Sequence, residues 1–161
     1  MPRPREDAAV SLRAARAGDR DLLLAWRNEP STRRWYLQPA RVRRADHERW
    51  FAARLADSAS RLYVAEQGGQ AVGQLRLERT GLGAEVSFSV AAAARGRGVG
   101  PAMLKRAVTR ARRDLGASRV VAHVVPQNVA SAIAFLKAGF RFTGIRRRKR
   151  TDVYEFECAT A

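Results

Sequence analysis

The sequence predicts a mixed α/β fold, a single domain in which an antiparallel meander feeds a β-α-β crossover. Three observations predict it. The chain has 161 residues, 46% of them hydrophobic, enough for one sizeable core and too apolar for disorder. Three short alternating apolar runs in the middle are separated by glycine turns, as in hairpin-connected strands. A glycine-rich loop then opens a long amphipathic run, and another strand pattern follows it. No repeat or low-complexity segment divides the chain, so residues 1–161 read as one domain, with residues 1–9 as a disordered tail.

In order, VSLRAA (residues 10–15) alternates and predicts the first strand. GDRDLLLAWRN follows, with Asp19 able to cap a short helix through Arg27. Pro30 interrupts it. ADHERWFAARLAD predicts a second helix, with Trp50, Phe51 and Leu55 on one side. RLYVAE and AVGQLRLER flank a Gly-Gly turn, and AEVSFSV follows TGLG. In the last of these, Val86, Phe88 and Val90 share one face and Glu85, Ser87 and Ser89 the other.

A helix is predicted from Val99 to Leu115, with Pro101 in its first turn and Gly116 as its stop. RVVAHVV is a strand, and NVASAIAFLKAGF a short helix ended by Gly139. Residues 140–145 and 151–158 predict two last strands around a basic turn, RRRKR. Cys158 alternates with Tyr154 and Phe156 and reads as a core residue rather than a nucleophile.

The formal net charge is +16. Such a surface can bind polyphosphates. However, only Lys105, Lys137 and Lys149 among the 31 basic residues are lysines, and the arginines are spread along the chain. Diffuse charge fits that distribution better than a nucleic-acid patch, and it attracts anionic ligands either way. One cysteine, no apolar leader and no run of about 20 apolar residues predict a cytoplasmic protein with no membrane partner.

The chemistry-bearing stretch is ARGRGVGPA, residues 94–102. Strand, glycine loop and helix together make an anion site, because helix N-termini leave N–H groups unpaired and carry partial positive charge. The ending Gly100-Pro101-Ala102 excludes a Walker loop, and the G-x-G-x-G spacing excludes the dinucleotide fingerprint.

Arg95-x-x-Gly98-x-Gly100 resembles the acetyl-CoA pyrophosphate motif of the GNAT N-acetyltransferases. Asn128, Ser131 and the ending Lys137-Ala138-Gly139-Phe140 resemble that family's second motif, and the element order agrees over essentially the whole chain. The resemblance implies the GNAT fold: a mostly antiparallel sheet of six to seven strands flanked by four helices. It implies acetyl-CoA as co-substrate, with no metal, in a cleft between splayed fourth and fifth strands. Backbone N–H groups of Arg97, Gly98, Val99 and Gly100 would hold the pyrophosphate, while Pro101 has none to give. Phe88, Ser89 and Val90 would pair with the pantetheine, and Asn128, Ser131, Phe135, Lys137 and Arg95 would complete the coenzyme site. A homodimer through the C-terminal strands is also allowed.

The family's usual general acid is a tyrosine, and here that position is Phe135, which has no proton to give. Ser131 lies one turn earlier and is the substitute donor, or only a cap. Glu85 is the first candidate for the base, with His123 on the facing strand the second. Each also has a plain structural reading, as a solvated strand glutamate and a packed histidine.

The N-terminal half resembles the nucleotide amino-sugar acetyltransferases of pseudaminic acid biosynthesis. That implies a UDP-linked 4-amino-4,6-dideoxy sugar as acceptor, lined by Arg27, Asn28, Arg33, His47 and Trp50. Arginine forks suit a diphosphate, although both tryptophans also fit a helix core. One alternative is N-terminal acetylation of a peptide or ribosomal protein. Another, of a different class, is a non-catalytic acetyl-CoA-sensing or nucleic-acid-binding module using residues 146–150.

Overall fold

Hydrophobic alternation and glycine turns translate into seven strands in one sheet. The computed structural model describes residues 9–161; the tail expected at residues 1–9 lies, except for Ala9, outside them. The strands are β1 (Val10–Ala14), β2 (Ser60–Gln67), β3 (Gln70–Thr80), β4 (Gly83–Val90), β5 (Arg119–Val124), β6 (Arg141–Arg148) and β7 (Thr151–Ala159). Their spatial order is β1-β2-β3-β4-β5-β7-β6. Every neighbouring pair is antiparallel except β4 and β5, which run parallel.

Among the described residues five α-helices flank the sheet, one more than the expected four: α1 (Arg20–Asn28), α2 (Pro30–Arg33), α3 (Arg44–Ala56), α4 (Val99–Leu115) and α5 (Val129–Lys137). The extra one, α2, begins on Pro30, the residue expected only to interrupt. Proline at the first helical position forfeits no hydrogen bond, so it starts a turn as readily as it ends one. The basic turn is also shorter than expected. Residues 146–148 belong to β6, and only Lys149 and Arg150 turn the chain, with φ of 46° and 63°.

The period of two along each strand sorts the core into two layers. Tyr63, Leu75, Leu77 and Val86 face α4, whose stripe of Met103, Leu104, Ala107 and Ala111 is fully buried against them. Leu62 and Val64 face the other way, onto Leu23 of α1 and Phe51 of α3. Gly73 lets β3 and β4 close up: a Cβ there would lie 2.6 Å from the Ser89 carbonyl oxygen. No helix among the described residues is long and apolar enough to cross a membrane.

Asp19 does not cap α1 through its side chain. Instead its carboxylate accepts both arms of Arg13 at 2.8 Å and the Arg16 N–H at 2.7 Å, joining β1 to the start of α1. Arg13 holds its carboxyl below the usual aspartate range, against the opposing effect of burial. A lowered folded-state pKa contributes stability above the unfolded value and loses it as pH falls through the folded value. Asp19→Asn is therefore expected to destabilise by about 2 kcal/mol at neutral pH in urea unfolding. The difference between variant and wild type should shrink below the ordinary aspartate pKa of 3.8. A difference that persists unchanged at acid pH would refute the ion-pair account.

Candidate active site

The sheet is split where β4 meets β5. Only Ala84 pairs with Val120 and Glu85 with Val121. Beyond them the strands diverge, and a cleft of about 810 Å³ opens between Phe88, Ser89 and Val90 on one side and Val124 and Val125 on the other. That is the size range of small-ligand sites. The cleft passes through the sheet, so its two ends have different neighbours. One end is closed by the α4 and α5 N-termini, the other by the segment after α2.

At the first end the glycine loop runs into α4. Gly96 and Gly98 have φ of 75° and 76°, which favours glycine. No atom lies within 4 Å of where a Cβ would stand at either, so a ligand can approach the backbone there. The first backbone bond into α4 is from the Ala102 N–H to the Gly98 carbonyl at 3.3 Å. The N–H groups of Val99 and Gly100 precede it and have no earlier turn to bond. Gly100 packs beside Phe88 and Ala134.

The two loop arginines both turn their side chains onto protein acceptors. Arg97 folds back on the Ala93 carbonyl at 3.0 Å, and its side chain is outside the cleft lining. Arg95 does line the cleft, but its guanidinium donates to Ser31 and Thr32 at 2.6 and 2.7 Å and pairs with Glu29 at 3.6 Å. It fastens the glycine loop to α2. Across the cleft, Asn128 caps α5: its Oδ1 accepts the Ser131 N–H at 3.3 Å. Ser131, Phe135 and Lys137 all border the cleft. Phe135 is buried, edge-on to Phe88 and Phe140 and stacked on Phe156.

At the second end a polar cluster sits on the face of the sheet opposite α4. The register sets His123 of β5 opposite Glu155 of β7, and Glu85 of β4 opposite Val121, two residues before His123 on the same face of β5. His123 Nδ1 is 3.4 Å from Glu85 Oε1, and its Nε2 is 3.1 Å from Glu155 Oε2. A bulge in β6 brings the Thr143 hydroxyl to Glu155 Oε1 at 2.8 Å. Glu85 and then Glu155 hold the His123 imidazole above its ordinary pKa, against desolvation. His123 and Arg148 hold the Glu85 carboxyl below its ordinary value. Glu85, His123 and Arg148 all line the cleft.

The expected acceptor residues are not in that lining. His47 is 3% exposed, with its ring packed against those of Trp50 and Phe51, and burial depresses its pKa. Trp50 belongs to the second core layer, under Arg76. Asn28 clamps the backbone of Val42 through both amide atoms at 2.8 Å. Arg27 lies 3.8 Å from the Tyr36 ring centre and donates to the Gln38 carbonyl. Arg33 is likewise outside the lining. Arg27 and Asn28 thus shape a loop, and that loop supplies Arg34, Trp35 and Tyr36 to the cleft, with Arg76 from β3 beside them. Sequence reasoning missed these four. The aromatic pair after TRR was the available signal, since it follows a helix too short to bury it.

Among the described residues no group of His, Cys, Asp and Glu is placed to hold a metal ion. Cys158 packs partly buried against the core, which pushes its thiol pKa up.

The acetyltransferase (GNAT) domain model matches residues 10–141. No curated protein matches the chain. Among solved structures, the aminoglycoside acetyltransferase AAC(6')-Ib in complex with coenzyme A and kanamycin superposes with a TM-score of 0.83. It is 20% identical over 94% of this chain and 95% of that one. Spermidine N-acetyltransferase from Vibrio cholerae, in complex with CoA and spermine, gives a TM-score of 0.83 at 19% identity, over 94% of this chain and 95% of that one.

Proposed function

Because the chain belongs to the acetyltransferase (GNAT) domain family, we propose that it is an acetyl-CoA-dependent N-acetyltransferase whose acceptor is an amine on an anionic small molecule. The finer reading is an amino sugar linked to a nucleotide diphosphate. The observation that carries the acceptor class is the charge of the cleft. Arg34, Arg76, Arg95 and Arg148 line it, against Glu85 as the one carboxylate among the described lining residues. A polycation would meet those guanidinium groups with only Glu85 to pair with. A diphosphate suits their fork geometry, and Trp35 and Tyr36 offer faces for a base or sugar ring.

The cleft suits the coenzyme. Open backbone at Gly96 and Gly98, leading into the α4 N-terminus, is a seat for a pyrophosphate. Phe88, Val90 and Phe135 give apolar walls for a pantetheine arm. Acetyl-CoA supplies an activated acyl carbon, onto which the amine nitrogen bonds as the bond to sulfur breaks. The chain's own residues orient the two partners and handle the proton. Glu85 accepts the proton that the acceptor's ammonium must lose, and His123, braced by Glu155, shares it. The leaving sulfur needs little acid help, its pKa being near 8.5 on the cysteine scale, which is compatible with phenylalanine at position 135. Ser131 remains the candidate donor beside it.

The test is release of free thiol from acetyl-CoA with a matched amine panel: a UDP-linked 4-amino sugar, kanamycin, spermidine and a short peptide. The nucleotide sugar should lead by about 100-fold or more in kcat/KM. Preferred turnover of kanamycin, spermidine or the peptide would sink the anionic-acceptor reading. Turnover of none, with salt-sensitive binding of RNA or DNA, would favour a non-catalytic module.

A further inference from the structure

The β6–β7 hairpin delivers a cation to the part of the cleft where the proton is handled. Arg148 ends β6 beside the two-residue tip, and its side chain is 42% exposed. Its Nη1 is 2.9 Å from His123 Nδ1 and 3.6 Å from Glu85 Oε2. The same imidazole nitrogen faces Glu85 Oε1 at 3.4 Å.

Those contacts cannot all be made at once. While Arg148 donates to Nδ1, that nitrogen must carry a bare lone pair and the ring is neutral. Once Nδ1 is protonated it donates to Glu85, and two N–H groups then point at each other unless Arg148 moves away. The neighbouring hairpin arginines are tied elsewhere: Arg146 to Glu155 at 3.1 Å and Arg147 to Asp152 at 3.0 Å. Arg148 is the one whose recorded partners are the reacting pair itself, and it also lines the cleft.

We propose that Arg148 recognises the anionic group of the acceptor, and that swinging onto that group releases Glu85 and His123 to take the amine's proton. This rests on the reading that the acceptor is an anion. In the proton step an N–H bond of the ammonium breaks, its electron pair stays on nitrogen, and the proton passes to the Glu85–His123 pair. The charge of Arg148 opposes protonation of both members of that pair. Its departure strengthens the base only when the right molecule is seated, and an acceptor with no anion leaves it latched. The other charged groups around the pair have their own partners. Glu78 of β3, opposite Glu85 in register, is paired with Arg54 and Arg76 at 3.3 Å, and Glu155 of β7 with Arg146.

The experiment follows the His123 ring protons by NMR from about pH 5 to about pH 9, a span that covers imidazole titration. It uses the full chain saturated with coenzyme A, with and without UDP as an anion that lacks the amine. In the wild type, saturating UDP should raise the apparent pKa of His123 by about one unit. In Arg148→Ala the pKa should start high and not respond to UDP, and UDP should bind about tenfold more weakly or worse. Arg148→Lys should restore part of the affinity. An unchanged melting temperature checks that the variants fold. Equal UDP affinity in wild type and Arg148→Ala, or the same UDP-induced shift in both, overturns the switch while an anionic acceptor still stands. A wild type with no UDP response overturns the switch, and if it binds spermidine instead, the anionic-acceptor reading falls with it.

Discussion

Gly98→Asp should weaken coenzyme A binding by at least about 100-fold, or nearly 3 kcal/mol, in a protein that is folded as well as the wild type. The second half of that statement makes the test sharp. Gly98 sits at the N-cap of α4 with φ 76° and ψ 10°. Aspartate is among the few residues that enter this left-handed region with modest strain. Its Cβ would meet no atom within 4 Å. A carboxylate at a helix N-terminus is also favourable for the helix itself. What the side chain does is occupy the anion's seat with a negative charge of its own. Melting temperature should hold while calorimetric titration with coenzyme A loses its signal. Gly98→Asn has nearly the same shape without the charge and should lose only about tenfold. If Gly98→Asp binds coenzyme A as the wild type does, the glycine loop is not the pyrophosphate seat.

Glu85→Gln should lower kcat/KM by about 100-fold with coenzyme affinity unchanged. It removes the proton acceptor that faces the cleft and keeps the side chain's shape. The pH profile adds a second reading. In the wild type Glu85 is held below its ordinary pKa of 4.5 and stays ionised over the working range. His123 is held above its ordinary 6.5, with its hydrogen bond to the Glu85 carboxylate as the leading cause. A raised histidine keeps its proton until the pH passes that higher value, and the pair titrates as a unit. The acid limb of kcat/KM should therefore lie above pH 6.5 and should move to lower pH in Glu85→Gln, where the leading cause of the shift is gone. A variant that keeps both its rate and the position of its limb would remove Glu85 from the proton path.

Most of the fold could be read locally. β1 through β5, α3, α4 and α5 follow from alternation, helical periodicity and glycine punctuation, each a short-range signal. α2 was missed because its four residues make barely one turn, too few to show a repeating pattern, and proline starts such a turn as easily as it breaks one. At the cleft, the elements of the proposed coenzyme half were legible because they are nearly contiguous: a loop with the first turn of its helix, and a capped helix across from it. Even there, sequence did not show that Arg95 and Arg97 turn toward α2 and Ala93. Side-chain direction depends on which acceptor is nearest in space.

The acceptor half was largely closed to sequence. Arg27 and Asn28 carry the right chemistry for a ligand, yet both are spent on holding the loop that presents Trp35 and Tyr36. Glu85 and His123 could be named as candidates from their strands. Glu155 and Arg148 could not, because they reach the cluster only through the β5–β7 register and a bulge in β6. Sequence by itself determined most of the elements, their order and the glycine loop that opens α4, since backbone dihedrals and hydrophobic period are set within a few residues. Only the tertiary structure decided which side chains meet in the cleft. Those meetings join strands up to about seventy positions apart, from Glu85 to Glu155, and a one-residue change of register would turn each of them to the opposite face.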